Sequence, residues 1–342
     1  MTMFPFSKLK RLVHFPYRLR SPYFKRRIFT SLLVFLVVYI LNFLIPRLEP
    51  GNILSGLVGA ANLEPAQREQ LLEQLGINQP LWVQFIKYVS ETFGSFPPSF
   101  GVSFAKYPLS VWAVIWQYLP WTLLLVGVSQ GIAFSVGILL GATLAWRRGS
   151  KSDSVLLGIS SFMTGAPSFW LATILIFVFA IEFHIFPPAS TGEGLTGNVF
   201  FQIQTILYHA FLPILTLVLI NLPRSAIVMR NTMVNVMQED FIMAAKARGL
   251  KLRTLVFGHA VRNSLLPSIA NLALSFGAIL SGAYLVEITY SYSGMGYLLV
   301  QSVFTRDYPV LQGVFFFSAM LIILANILAD IFYLYLDPRV EY

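Results

Sequence analysis

Six long stretches of this chain contain no Asp, Glu, Lys or Arg: residues 28–46, 107–146, 154–181, 194–223, 263–286 and 308–329. Each holds a run of Leu, Ile, Val and Phe. A helix needs about 20 mostly apolar residues to cross a bilayer, because hydrocarbon offers no partner to a charge or an unpaired amide. Across the chain 56% of residues are hydrophobic and only 11% are charged, against about 25% charged in soluble domains. That balance excludes a disordered chain and does not fit a soluble enzyme. The pattern predicts an all-α polytopic membrane protein with six transmembrane helices.

The boundaries divide the chain further. Residues 1–27 form a basic tail and 28–46 the first span. Residues 47–119 make a segment outside the core with short helices, 120–336 the membrane core, and 337–342 a second tail. The window 107–146 is too long for one span. Its start carries Trp112, Trp116 and Tyr118 before Pro120, and reads as an interfacial piece leading into a span near 120–145. The fourth span is expected near 206–229, passing Arg224. Residues 288–305 are free of charge but polar and glycine-containing in their middle, which predicts a loop or re-entrant piece and no seventh span. Within 47–119, the run from Glu64 to Gly76 reads as a short helix, with Pro65 in its first turn and Gly76 at its end. Trp82, Phe85, Ile86 and Val89 then recur at helical spacing, as in a small cap lying on the membrane.

Six spans put both termini on one side. Of the 24 Lys and Arg, only Arg47, Arg68, Lys87, Lys106 and Arg306 fall on the other side. The positive-inside rule therefore predicts cytoplasmic termini. The net charge of +9 is mostly this orientation signal. Lys25, Arg26 and Arg27 abut an apolar helix, which suits lipid headgroups and not nucleic acid. With no cysteine, thiolate metal sites and cysteine nucleophiles are excluded.

The longest inward-facing connection, 230–264, carries most of the functional information. Glu239 and Asp240 place acids at the positive end of a predicted helix. Met243, Ala244 and Ala245 give that helix a small face. Gly249 is placed to end it in a left-handed cap. Lys246, Arg248, Lys251 and Arg253 add positive charge around and beyond that end. Such a helix suits a groove on a partner protein. The alternative is a solvated helix lying on the membrane.

This stretch resembles the EAA loop of ABC-importer permeases, in the form found in the peptide/nickel branch. Met243-Ala244-Ala245, Gly249 and Leu266-Pro267 stand at the motif positions. Met243 replaces the glutamate of the general motif, and the Gly-to-Pro spacing is longer. Other resemblances follow in order along the chain: residues Gly76 to Phe85, Pro167 to Leu171, His259 to Pro267, Glu287, Gly294-Met295-Gly296, Arg306 to Pro309 and Asp337-Pro338-Arg339.

The resemblance implies a type I importer permease fold. It implies one of two homologous permease subunits, two cytoplasmic ABC ATPases and an external solute-binding protein, all working within membrane lipid. The coupling residues would be Glu239, Asp240, Met243, Ala244, Ala245, Lys246, Arg248, Gly249 and Leu250. The acidic contact to the ATPase falls to Glu239 or Asp240, since Met243 carries no charge. The chain would hold no cofactor, with ATP and magnesium bound by the ATPases, and would not itself be an enzyme. The expected substrate is a di- or oligopeptide, with oligosaccharides or nickel as alternatives.

Ionisable residues in spans are functional candidates because burying them is costly. Glu182, Glu287 and Arg224 lie near span ends and read as edge anchors. Asp330 lies deeper, and with Asn326 at i, i+4 it reads as a pair placed for interhelical hydrogen bonds. These two are the candidates for the substrate path. A secondary transporter working without ATPases would need inverted repeats and midplane ionisable sites. An intramembrane serine hydrolase would need a catalytic motif beside Ser160, Ser161 or Ser168. Neither pattern is evident.

Overall fold

A computed structural model of the chain describes residues 22–48, 79–189, 198–251 and 253–336. Every regular element among them is helical. In chain order they are α1 (Pro22–Leu48), α2 (Leu81–Phe93), α3 (Val111–Trp146), α4 (Lys151–Gly165), α5 (Ser168–Leu175), α6 (Val199–Val236), α7 (Asp240–Ala247), α8 (Val261–Thr289), α9 (Met295–Phe304) and α10 (Tyr308–Leu336). A wider helical turn, Ile176–Glu182, extends α5, and another, Thr254–Ala260, leads into α8.

Four helices, α1, α3, α6 and α10, are long and apolar enough to cross a membrane. The pair α4–α5 makes a fifth if it counts as one span. Helix α8 has 29 residues, or about 44 Å at ~1.5 Å per residue. Leu32, Leu33 and Leu36 of α1 are at least half exposed, as expected of a surface that faces lipid.

Several expected boundaries move. Residues 107–119 are not an interfacial piece separate from a later span: α3 runs unbroken from Val111 through Pro120 to Trp146. Proline removes one N–H from the ladder, and the turns on either side carry the helix past it. The Ser110 side chain caps the start by accepting from the Ala113 amide at 3.2 Å. The span expected at 206–229 is the middle of a 38-residue helix, α6, capped at its start by Asn198 accepting from the Phe201 amide.

The window 154–181 is not one straight span, because α4 and α5 meet at a bend of 104°. Pro167 sets the bend by driving Ala166 into an extended conformation (φ −77°, ψ 125°). Residues 288–305 contain a ten-residue helix, α9, about 15 Å long at ~1.5 Å per residue. That is half a bilayer, in line with a loop or re-entrant piece. The helix expected at Glu64–Gly76 lies outside the described residues, as do residues 1–21 and 337–342.

The centre of the bundle is the contact between α3 and α6. A Cβ added to Gly137 would lie 2.6 Å from the Ser225 Cβ, and one on Gly141 would lie 2.8 Å from the Met229 Cβ. Two glycines four apart let the backbones approach closely, as small-xxx-small pairs do in membranes. One end of the bundle gathers Arg27, Arg147, Arg148 and Arg230 and is called the basic end here. At the opposite end α2 packs on α1 through Tyr88, stacked on Tyr39 at 4.8 Å between ring centroids. Burial pushes the Tyr88 hydroxyl above the ordinary phenol range. It stays neutral there and accepts a hydrogen bond from the Asn42 side chain at 3.2 Å. Trp82 and Ile86, expected to mark the cap's apolar stripe, point outward and are exposed, while Phe85 and Val89 pack inward.

Candidate functional site

The turn at the basic end is built around α7. Met237 ends α6, Glu239 occupies the cap position and Asp240 opens the new helix. One side chain anchors it. Ile242 is buried among Ala142 and Ala145 of α3, Met229 and Met233 of α6, and Val256 and Ala260 beyond. Residues on either side of Ile242 point away: Phe241 is 43% exposed and Met243 56%. Ala244 is exposed and Ala245 half-buried.

The end of α7 is closed by paired backbone bonds. The Gly249 amide donates to the Lys246 carbonyl at 3.0 Å and the Leu250 amide to the Ala245 carbonyl at 3.4 Å. Gly249 sits at φ +77°, in the left-handed region that this Schellman arrangement requires and that glycine adopts without strain. The sequence reading of Gly249 as a left-handed cap therefore agrees with the geometry. Glu239, Asp240, Lys246, Arg248 and Leu250 are all exposed around the turn.

An ion pair fixes the ground on which α7 stands. Arg230 of α6 donates to Asp153 of α4 at 2.8 Å from Nε and 2.7 Å from Nη2. Asp153 is buried and also accepts from the Gly149 amide at 3.0 Å. The α3–α4 turn is thus tied to α6 near its end, at Arg230, ahead of α7. Sequence reading missed Asp153, since its partner lies 77 residues away. Gly137-Ile138-Leu139-Leu140-Gly141 was the visible signal for the α3–α6 contact and also went unread.

The two candidates for the substrate path are not a pair. Asp330 accepts from Arg27 Nε of α1 at 2.6 Å and is buried. Its bond runs between helices, but to the basic flank of α1 and not to Asn326. An acid so close to Arg27 has a cation of its own, which explains how it sits in a span. The structure does not bring Asn326 and Asp330 to α7.

Glu287 is no edge anchor. It is fully buried, accepting from the Thr122 hydroxyl at 2.6 Å and the Gly296 amide at 2.6 Å. Gly294 packs against its carboxylate, and a Cβ at Gly296 would lie 2.6 Å from the Tyr284 Cα. The Gly294-Met295-Gly296 turn is therefore shaped by close packing that joins α8 to α9. Asp307 does similar work at the start of α10, accepting from the Ser103 hydroxyl and the Phe104 and Ala105 amides.

Long apolar helices packed on a glycine seam, with one short helix anchored at their basic end, define a multi-pass membrane protein. The chain matches the model of the binding-protein-dependent transport system inner membrane component over residues 137–342, and that of its N-terminal region over residues 21–126. It belongs to that family and is a membrane component of a transport system in the cell membrane.

Among its relatives is the oligopeptide transport system permease protein AppB of Bacillus subtilis, 34% identical over 322 residues, covering 94% of this chain and all of the relative. The dipeptide transport system permease protein DppB of Escherichia coli is 30% identical, covering 93% of this chain and 98% of the relative. The di/tripeptide transport system permease protein DppB of Pseudomonas aeruginosa is 31% identical over similar lengths.

Proposed function

We propose that this chain is the permease subunit of an ATP-driven importer of di- and oligopeptides, with α7 as the helix that receives the motion of the ATPases. Full-length similarity to permeases named for peptide transport supports the substrate class. The observation that carries the coupling role is the build of α7. Ile242 roots it in α3 and α6, while Phe241, Met243, Ala244 and Leu250 face outward around a glycine-capped end.

An element rooted in the two central spans and open on its other face can carry a push from a partner into the bundle. A partner shifts a two-state equilibrium only through contacts that differ between the states. In this reading two ATPases bind ATP and its magnesium and close, and α7 moves as a rigid body with α3 and α6. The chain itself performs no chemistry. A second, homologous permease completes the path, and an external receptor delivers the peptide. The bundle crosses the membrane six times, by α1, α3, the pair α4–α5, α6, α8 and α10, with the basic end in the cytoplasm.

The test is ATP-driven peptide uptake by the complete transporter in proteoliposomes. Ala245→Trp and Gly249→Val are expected to abolish uptake and receptor-stimulated ATP hydrolysis while the chain still inserts into the membrane. Full uptake in both variants would overturn the coupling role. Uptake of a sugar or nickel, and not of peptide, would overturn the substrate class.

A further inference from the structure

A small, partly open cleft of about 20 Å³ lies between α3, α6 and α8. Its lining includes Gln130 of α3, Asn221, Arg224 and Ser225 of α6, and Ser268 and Asn271 of α8. Arg224 stands six residues before Arg230, so it lies about 9 Å further into the bundle than the ion pair at the basic end, at ~1.5 Å per residue. Among the described residues, no acid lies within ion-pair distance of Arg224. The other cations on α1 and α6 that enter the bundle, Arg27 and Arg230, each have their carboxylate.

Gln130 makes the second, independent observation. It is buried, 5% exposed, and its Oε1 has no hydrogen-bond partner. A buried acceptor left unmade is costly, and most such groups in folded proteins are satisfied. Arg224, an exposed cation with no carboxylate beside it, and the buried, unpaired Gln130 acceptor thus line one cleft at the level of the spans. An intramembrane charge without a partner marks a path or a ligand site.

We infer that Arg224 and Gln130 form a subsite for the C-terminal end of the transported peptide, Arg224 pairing with its carboxylate and Gln130 accepting from its last N–H. The C-terminal residue of a peptide presents both groups side by side. Guanidinium suits a carboxylate because its planar donors match the two oxygens. At about 20 Å³ the cleft has room for about one water, so a peptide end enters only where α3, α6 and α8 part. The inference rests on the peptide-importer reading above and gives that path a residue.

The experiment uses the complete transporter in proteoliposomes and compares a dipeptide with its C-terminal amide. The quantity read is the ratio of free-acid to amide uptake. Arg224→Gln is expected to lower that ratio about tenfold, and Arg224→Lys to keep most of it. A variant that merely folds poorly slows both peptides together and leaves the ratio where it was. An unchanged ratio, with wild-type uptake intact, overturns the subsite alone.

If the wild-type transporter takes up neither peptide, the importer reading falls and the subsite with it. A second measurement uses the absence of cysteine from this chain. Ser225→Cys should react with a water-soluble maleimide in at least one nucleotide state, and the free-acid dipeptide should protect it better than the amide. No reaction in any state, or equal protection by both, also overturns the subsite.

Discussion

Four buried acids show how this chain keeps charge inside an apolar bundle, and each does it differently. Asp153 accepts side by side from Nε and Nη2 of Arg230. Asp330 takes Arg27. Asp307 gathers backbone amides and a serine, and Glu287 a threonine and an amide. Removing one member of a partly buried pair leaves the other without its partner, at a cost of about 1–3 kcal/mol. Arg230→Gln should therefore lower the thermal midpoint of the purified transporter sharply. Asp153→Asn combined with Arg230→Gln should recover part of the loss, because no lone charge remains. A single variant that melts like wild type would mean the pair carries no stability. Glu287→Ala would strand the Thr122 hydroxyl and the Gly296 amide, at about 1–3 kcal/mol for each group. The check is the same melt, with Glu287→Gln expected to fall between wild type and Glu287→Ala. None of these partnerships was legible along the chain. Charge-free windows locate a buried acid, but Arg27 and Asp330 lie 303 residues apart, and only the fold brings them together.

Elements whose boundaries depend on local chemistry were read most closely. The Gly249 cap and the acidic opening of α7 follow from residue types at fixed offsets, so the helix at 240–247 was legible in outline. Boundaries set by packing were not. Pro120 reads as a stop, yet α3 passes it, while Pro167 reads as a span start and makes a 104° corner. The glycine pairs of α3 show the limit clearly. Gly127 and Gly131 have the same spacing as Gly137 and Gly141, but among the described residues only the second pair meets another helix. A side chain at Gly141 would collide with the Ala226 carbonyl and the Met229 Cβ. Gly141→Leu is expected to separate α3 from α6, cutting the yield of folded chain several-fold in detergent extraction. Gly131→Ala meets open space among the described residues and should be neutral or stabilising by up to about 1 kcal/mol through helix propensity. Equal damage from both would show that the seam at Gly137 and Gly141 has no special part in holding the bundle.

At the scale of the whole molecule, the bent pair α4–α5 decides the topology. If it crosses the membrane, Val199 at the start of α6 lies on the side opposite Lys151. The packing places them so: Arg230 of α6 bonds Asp153 of α4 and Ile242 packs on the last turns of α3, so α3 and α6 run in the same direction and Val199 and Lys151 stand at opposite ends of the bundle. The charge distribution agrees. With the pair as a span, Lys246, Arg248, Lys251 and Arg253 share a side with Arg147, Arg148 and Lys151, as the positive-inside rule asks. The absence of natural cysteine makes the test direct. Phe96 is 98% exposed and Phe200 77%, and Lys151 is exposed at the head of α4, so each accepts a single cysteine without disturbing the core. In intact cells, an impermeant maleimide should label Phe96→Cys and Phe200→Cys, and reach Lys151→Cys only after permeabilisation. Labelling of Phe200→Cys only after permeabilisation, in step with Lys151→Cys, would contradict the parallel run of α3 and α6. It would also undo the arrangement that holds α7 on the end of α3, beside the α3–α4 turn, so the coupling role of α7 and the crossing of this one bent pair stand or fall together.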